Sequence, residues 1–190
     1  GDGTLAVTVD TSSDVADEAG NTLASAPAQD TVTVDNTPPT VAIAIDGGSP
    51  TEVNDADTVT FNVTYTGADT VNLQSSDVSL NTSDGITGNV TVTDGATDTP
   101  VVTIDSLTDD GTFTVSIGAG TSEDNAGNQD AGAGPSTTTI TVDNTDPAAT
   151  VNPLKTQDRS PQITGTASDV DGSGVDTVTV EIDVTDDGPG

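Results

Sequence analysis

The chain has 190 residues, with 32 acids against two bases (Lys155 and Arg159) and no His, giving a formal charge of −30. That balance argues against nucleic acid and anionic membrane as partners, because both need basic groups to displace counterions; it suits divalent cations and a surface that must stay soluble. No Cys is present, which excludes disulfides and thiolate metal sites.

The length allows one or two domains. Leu, Ile, Val and Phe make up about a fifth of the chain, the border at which high net charge begins to favour disorder. The arrangement of those residues argues for a folded β protein instead. Thr alternates with Val through most of the chain, and few segments offer a helical period. No Met occurs, so a processed product or a piece of a longer polypeptide is expected. No hydrophobic run reaches the length of a membrane span, so no direct membrane insertion is expected.

In chain order, residues 1–39 read as two strands and a joint. The strand Thr31-Val32-Thr33-Val34 runs into Asp35-Asn36-Thr37-Pro38-Pro39, and the pattern returns at Thr139-Ile140-Thr141-Val142-Asp143-Asn144-Thr145-Asp146-Pro147, 108 residues on. That period is the size of one β-sandwich domain. Residues 40–147 then contain seven expected strands, near Val41–Ile45, Thr58–Thr66, Thr70–Gln74, Ile86–Thr93, Val101–Asp105, Thr112–Ile117 and Thr137–Val142. In the second, Val59, Phe61, Val63 and Tyr65 share one face, as period 2 requires of a half-buried strand. Asp46-Gly47-Gly48, Asp94-Gly95 and Asp110-Gly111 supply turns. The expected core is Val and Ile, with Phe61, Tyr65 and Phe113 as its rings.

The flanks repeat parts of this unit. Asp2-Gly3-Thr4-Leu5-Ala6-Val7 matches Asp110-Gly111-Thr112-Phe113-Thr114-Val115, and Asp17-Glu18-Ala19-Gly20-Asn21 matches Asp124-Asn125-Ala126-Gly127-Asn128. Residues 1–39 therefore read as the C-terminal strands of a domain. Residues 148–190 read as the N-terminal strands of another, with Pro161–Ala167 and Val175–Val184 as strand candidates. Two strands cannot bury a core alone. Either the chain belongs to a longer array, or residues 148–190 of one copy complete residues 1–39 of the next in a head-to-tail filament.

A strand ending in Val-Asp-Asn-Thr-Pro-Pro with Asp-x-Ala-Gly-Asn upstream resembles the tandem bacterial Ig-like domains of giant surface adhesins. Residues 17–39 carry both marks, and residues 124–147 carry them with Asp146 in place of the first proline. The resemblance implies an all-β fold of tandem immunoglobulin-like β-sandwiches in an elongated array, acting as a stalk, extracellular or at the cell surface, with Ca²⁺ stiffening the joints. It also implies neighbouring Ig-like domains, of the same or identical chains, as partners. The alternative is a subunit of an extracellular filament or surface layer, a homopolymer.

In an Ig sandwich the B–C and F–G loops lie where strand A enters, so the preceding joint meets them. This gathers Asp35 and Asn36 of the first joint with Asp69, Asp124, Asn125 and Asn128. At the second joint, Asp143 and Asn144 meet the loop Asp169-Val170-Asp171-Gly172-Ser173-Gly174. All supply hard oxygen donors of the kind Ca²⁺ takes in sets of six to eight. Asp169 and Asp171 resemble the start of a calcium loop, but the twelfth position is Val180, so the loop is not an EF-hand. The same residue types also build tight turns, and for the Asp-x-Ala-Gly-Asn loops both readings stand.

Catalysis is not expected: no His or Cys is available as base or nucleophile, and three aromatic residues leave no platform for a sugar. A Lys–Asn isopeptide staple has no Lys to use within residues 40–147. Asn62, Asn81 and Asn89 head Asn-x-Ser/Thr sequons, which a Thr-rich chain also produces by chance.

Overall fold

The computed structural model describes residues 1–8, 16–22, 30–155, 157, 160–170 and 173–181, and those residues are all-β. β1 (Gly3–Val7) and β2 (Asp30–Val34) form an antiparallel pair. Ten strands follow between the two joints: β3 (Thr40–Ile45), β4 (Glu52–Val53), β5 (Val59–Thr66), β6 (Thr70–Val71), β7 (Val78–Thr82), β8 (Thr87–Thr93), β9 (Val101–Thr108), β10 (Gly111–Ile117), β11 (Ser122–Glu123) and β12 (Ile140–Val142). Beyond the second joint, β13 (Ala148–Val151) and β14 (Gly165–Ser168) form another antiparallel pair. No helix among the described residues is long and apolar enough to cross a membrane.

The strands between the joints form two four-stranded sheets, ordered β3-β5-β9-β8 and β4-β12-β10-β7. Each strand has one apolar face, and only sheet-on-sheet packing hides both sets from water. β5 buries Val59, Phe61, Val63 and Tyr65 and turns Asn62 and Thr64 outward. β10 buries Phe113, Val115 and Ile117 from the opposite sheet. Phe61 and Phe113 are 0% and 1% exposed and belong to one cluster with Val102, Ile104, Ile140 and Val142. The three expected rings thus sit in the core, Tyr65 with its hydroxyl 2.7 Å from Thr121 Oγ1.

Several short elements differ from the sequence expectation. The strand expected over 70–74 stops at Val71, because Leu73 turns into the core and donates its N–H to Gly95 O (2.8 Å) in the turn after β8. β4, β7 and β11 were not expected. β7 has only Val78 and Leu80 on its inner side, too few to show a period, and it is fixed by pairing with β10. β4 runs parallel to β12, and β11 pairs with β6. Residues 175–181 of the candidate strand Val175–Val184 form no strand, and its last three residues lie outside the described ones.

Candidate functional site

The pairing of β6 with β11 draws the turn after β5 against the long loop after β10, beside the first joint. Asp69 donates its N–H to Glu123 O (2.9 Å), and its Oδ2 accepts from Asn125 N (2.8 Å). Asn128 Nδ2 reaches the joint itself, donating to Asp35 O at 3.1 Å and to Asp124 Oδ2 at 2.8 Å. Five of the six residues expected here therefore fall in two hydrogen-bonded sets, Asp35–Asn128–Asp124 and Asp69–Asn125, joined through the Asp124–Asn125 peptide. Asn36 faces the other way. Its N–H donates to Asp2 Oδ1 (2.7 Å) and its side-chain amide to Gly1 O (3.4 Å).

The Asp-x-Ala-Gly-Asn loop has one geometry in both copies. Asp124 Oδ1 accepts from Ala126 N and Asn128 N, both at 2.9 Å. Asp17 Oδ1 accepts from Ala19 N (3.0 Å) and Asn21 N (2.8 Å), and its Oδ2 from Asn21 Nδ2 (2.8 Å). The glycine stands in the left-handed region in each, φ +88° at Gly127 and +87° at Gly20, where a side chain would be strained. These bonds, led by the one from the Asn side chain, hold the Asp17 and Asp124 carboxyls below the ordinary range. Each of these carboxylates accepts three N–H donors from its own loop, which holds the loop as a turn.

The second joint is wired differently. Asp143 Oδ1 accepts from Thr145 N (3.0 Å), while Oδ2 accepts from the Ser173 N–H across the joint. The Ser173 backbone and hydroxyl bonds, then Thr145 N–H and, as a smaller effect, the neighbouring Asp169 carboxyl hold Asp143 below the ordinary carboxylate range. Asp169 Oδ2 accepts from Gly174 N (2.9 Å). Asp169 Oδ1 is buried and has no hydrogen-bond partner among the described residues. Asp143 Oδ2 and Asp169 Oδ2 accept from the successive N–H groups of Ser173 and Gly174, which brings the two carboxylates to one place. Among the described residues no group of three or more acidic side chains is disposed to hold a metal. Asp171 lies outside the described residues.

Asn144 points into its own unit. It accepts from Asp55 N (2.6 Å) and donates to Leu107 O (3.4 Å) and Asp109 O (3.1 Å), bracing the β9–β10 turn. No family model matches the chain, and no curated protein or solved structure matches it at a significant level.

Two features were missed from sequence. Asp110 Oδ1 accepts from Asn144 N (2.6 Å) and Oδ2 from Thr145 Oγ1 (2.6 Å); Asp2 makes the same pair of bonds to Asn36 and Thr37. The Asp-Gly that opens each penultimate strand therefore clasps the joint that leaves the last one, and the Asp2/Asp110 repeat was the available signal. Asp130, 3% exposed, accepts from Ser122 N (2.6 Å), Ser122 Oγ (3.1 Å), Thr121 Oγ1 (3.3 Å) and Gly132 N (2.8 Å), which ties the long loop to β11. Nothing in its local sequence marked it. The three sequon asparagines are exposed and each bonds a neighbour: Asn62 to Asp46, Asn81 to Ser116 and Asn89 to Asp105.

Proposed function

We propose that the chain is a structural stalk segment of a secreted or surface-anchored bacterial adhesin, built of tandem immunoglobulin-like sandwiches and stiffened by Ca²⁺ at its joints. The sheet orders support the immunoglobulin-like reading. Taking β3, β5, β7, β8, β9, β10 and β12 as A to G, they give A-B-E-D on one side and G-F-C on the other. The Trp–disulfide pin of antibody domains is absent, since the chain has neither Trp nor Cys.

The observation that carries the cation reading is Asp169 Oδ1, buried and without a hydrogen-bond partner among the described residues, on a loop whose Ser173 N–H bonds Asp143. Asp143 belongs to the exit of one unit and Asp169 to a loop of the next. A divalent ion held between them would neutralise both charges and tie the two units together. Thr145 and Asp110 fix the direction in which the chain leaves β12, and Pro147 narrows its freedom further. No catalytic role is assigned to the chain.

Small-angle scattering of the chain in Ca²⁺ and in chelator tests this reading. A longer maximum dimension and a higher melting temperature in Ca²⁺ are expected, both lost in Asp143→Asn/Asp169→Asn. Identical profiles in the two buffers would refute it.

A further inference from the structure

An aspartate followed by glycine is a place where the backbone can react with its own side chain. The N–H nitrogen of the glycine can attack the aspartate Cγ and close a five-membered ring, and glycine puts no Cβ in the way. Asp-Gly steps begin at Asp2, Asp46, Asp84, Asp94, Asp110, Asp171 and Asp187, and the structure describes the first five. Whether each can react depends on how firmly its carboxyl and its peptide are held.

Four of the five are held. Asp2 accepts from Asn36 N and Thr37 Oγ1, and Asp110 accepts from Asn144 N and Thr145 Oγ1. Asp46 Oδ1 accepts from Asn62 Nδ2 (2.9 Å) and Oδ2 from Gly48 N (3.0 Å). At Asp94 the peptide rather than the carboxyl is fixed. Gly95 O accepts from Leu73 N (2.8 Å), and a Cβ on Gly95 would lie 2.2 Å from Leu73 O.

Asp84–Gly85 differs on each count. The two residues form the tip of the β7–β8 turn, closed by Ile86 N donating to Ser83 O (3.4 Å). Both are exposed, and neither makes a hydrogen bond among the described residues. A Cβ on Gly85 would meet nothing within 4 Å. The flanks are pinned: Ser83 N donates to Thr112 O (2.8 Å), Ser83 Oγ accepts from Thr112 N (2.9 Å), and Ile86 is buried in the core. Asp84 stands at φ +55°, in the left-handed region that strains a residue with a side chain. The tip is thus strained and untethered between two fixed ends.

We propose that Asp84–Gly85 is a modification site, at which the folded chain rearranges to isoaspartate. Gly85 N bonds to Cγ of the Asp84 carboxylic acid; the acid hydroxyl and the amide hydrogen leave together as water, and a succinimide remains. Water then adds to one ring carbonyl. Opening at the side-chain carbonyl restores Asp84. Opening at the main-chain carbonyl leaves the backbone running through Cβ and Cγ, with the α-carboxylate as the new side group. Only water is exchanged. The product is the chemistry that isoaspartyl carboxyl methyltransferases recognise, with S-adenosylmethionine as methyl donor. The inference does not rest on the stalk or cation reading, since Asp84 belongs to neither joint.

The test is prolonged incubation of the intact chain at physiological temperature, folded and in urea, followed by peptide mapping. Isoaspartate is scored at each step by backbone fragmentation and by methyl uptake with the methyltransferase. In the folded chain the product at Asp84 should exceed that at Asp2, Asp46, Asp94 and Asp110 roughly tenfold, about 1.4 kcal/mol in barrier. In urea, where no restraint survives, that lead should collapse. Asp84→Glu should abolish the product at this step, because a larger ring must close, with unfolding of the sandwich unchanged. Asn62→Ala releases Asp46 Oδ1 and should raise the product at Asp46–Gly47. No isoaspartate at Asp84 in the folded chain overturns the proposal. So does another described step that keeps pace with it, or a lead that persists undiminished in urea.

Discussion

Hairpins β1–β2 and β10–β12 share a register, a threonine face and an Asp-Gly start, yet one is exposed and the other is the centre of a core. The difference is not in the hairpins. β10–β12 has β3–β5 across from it, and β1–β2 has no second sheet among the described residues. A strand pair is a local product of alternation and turns, whereas its stability is a property of what covers it. The two joints repeat the lesson. Val-Asp-Asn-Thr forms the same clasp with Asp2 and with Asp110, but the neighbouring loop decides what the joint can do. At the first joint Asn128 caps the Asp35 carbonyl and Asp124 accepts from its own loop; at the second, Asp143 accepts from Thr145 and Ser173, and Asp169 Oδ1 is buried without a hydrogen-bond partner among the described residues.

The largest expected effect breaks the hairpin comparison. Phe113→Ala should cost about 3–5 kcal/mol in denaturant unfolding, because it opens a cavity in a sealed core. Leu5→Ala, at the same register position, should cost under about 1 kcal/mol where the chain is monomeric. Equal losses would mean that the N-terminal face is covered in solution. Next comes Asp130→Ala, which strips the acceptor from four donors in a buried site; about 2–3 kcal/mol is expected, with Asp130→Asn losing less.

The joints provide the third contrast. Ca²⁺ at about a hundred times its dissociation constant should stabilise the chain by about 2–3 kcal/mol in thermal unfolding. Asp143→Asn or Asp169→Asn should remove most of that gain, and Asp35→Asn little of it. The reverse ranking would move the site to the first joint. Acid should act on both joints in one direction. Asp124 and Asp143 titrate below their ordinary value of 3.8 when folded, so their hydrogen bonds contribute fully above that value and are lost as pH falls through the lowered ones. Stability measured from pH 5 downward should therefore fall, and Asp124→Asn should flatten that fall. Smallest is the clasp: Asp110→Ala should cost about 1 kcal/mol, while Asp2→Ala leaves unfolding of the central sandwich unchanged.

The site was less legible than the fold. Alternation exposed most long strands and all three core rings, because burial on one face writes period 2 directly into the residues. β7 and β4 left no such trace, being too short to show a period. Spacing and topology brought Asp35, Asp69 and Asp124 to one place, but they could not say whether those oxygens were free. Asn36 and Asn144 read as ligands from their position next to Asp, yet both turn back to brace their own units.

The sequence by itself therefore determined the all-β class, the 108-residue period and most residues of the central core. These depend on neighbours along a strand or on short turns, where residue type and conformation are tied. Only the tertiary structure decided which carboxylates are spent on N–H donors, which oxygen is left buried without one, and which apolar faces are covered. Those outcomes depend on groups brought together from distant parts of the chain, and a hydrogen bond or a buried face exists only once both sides have arrived.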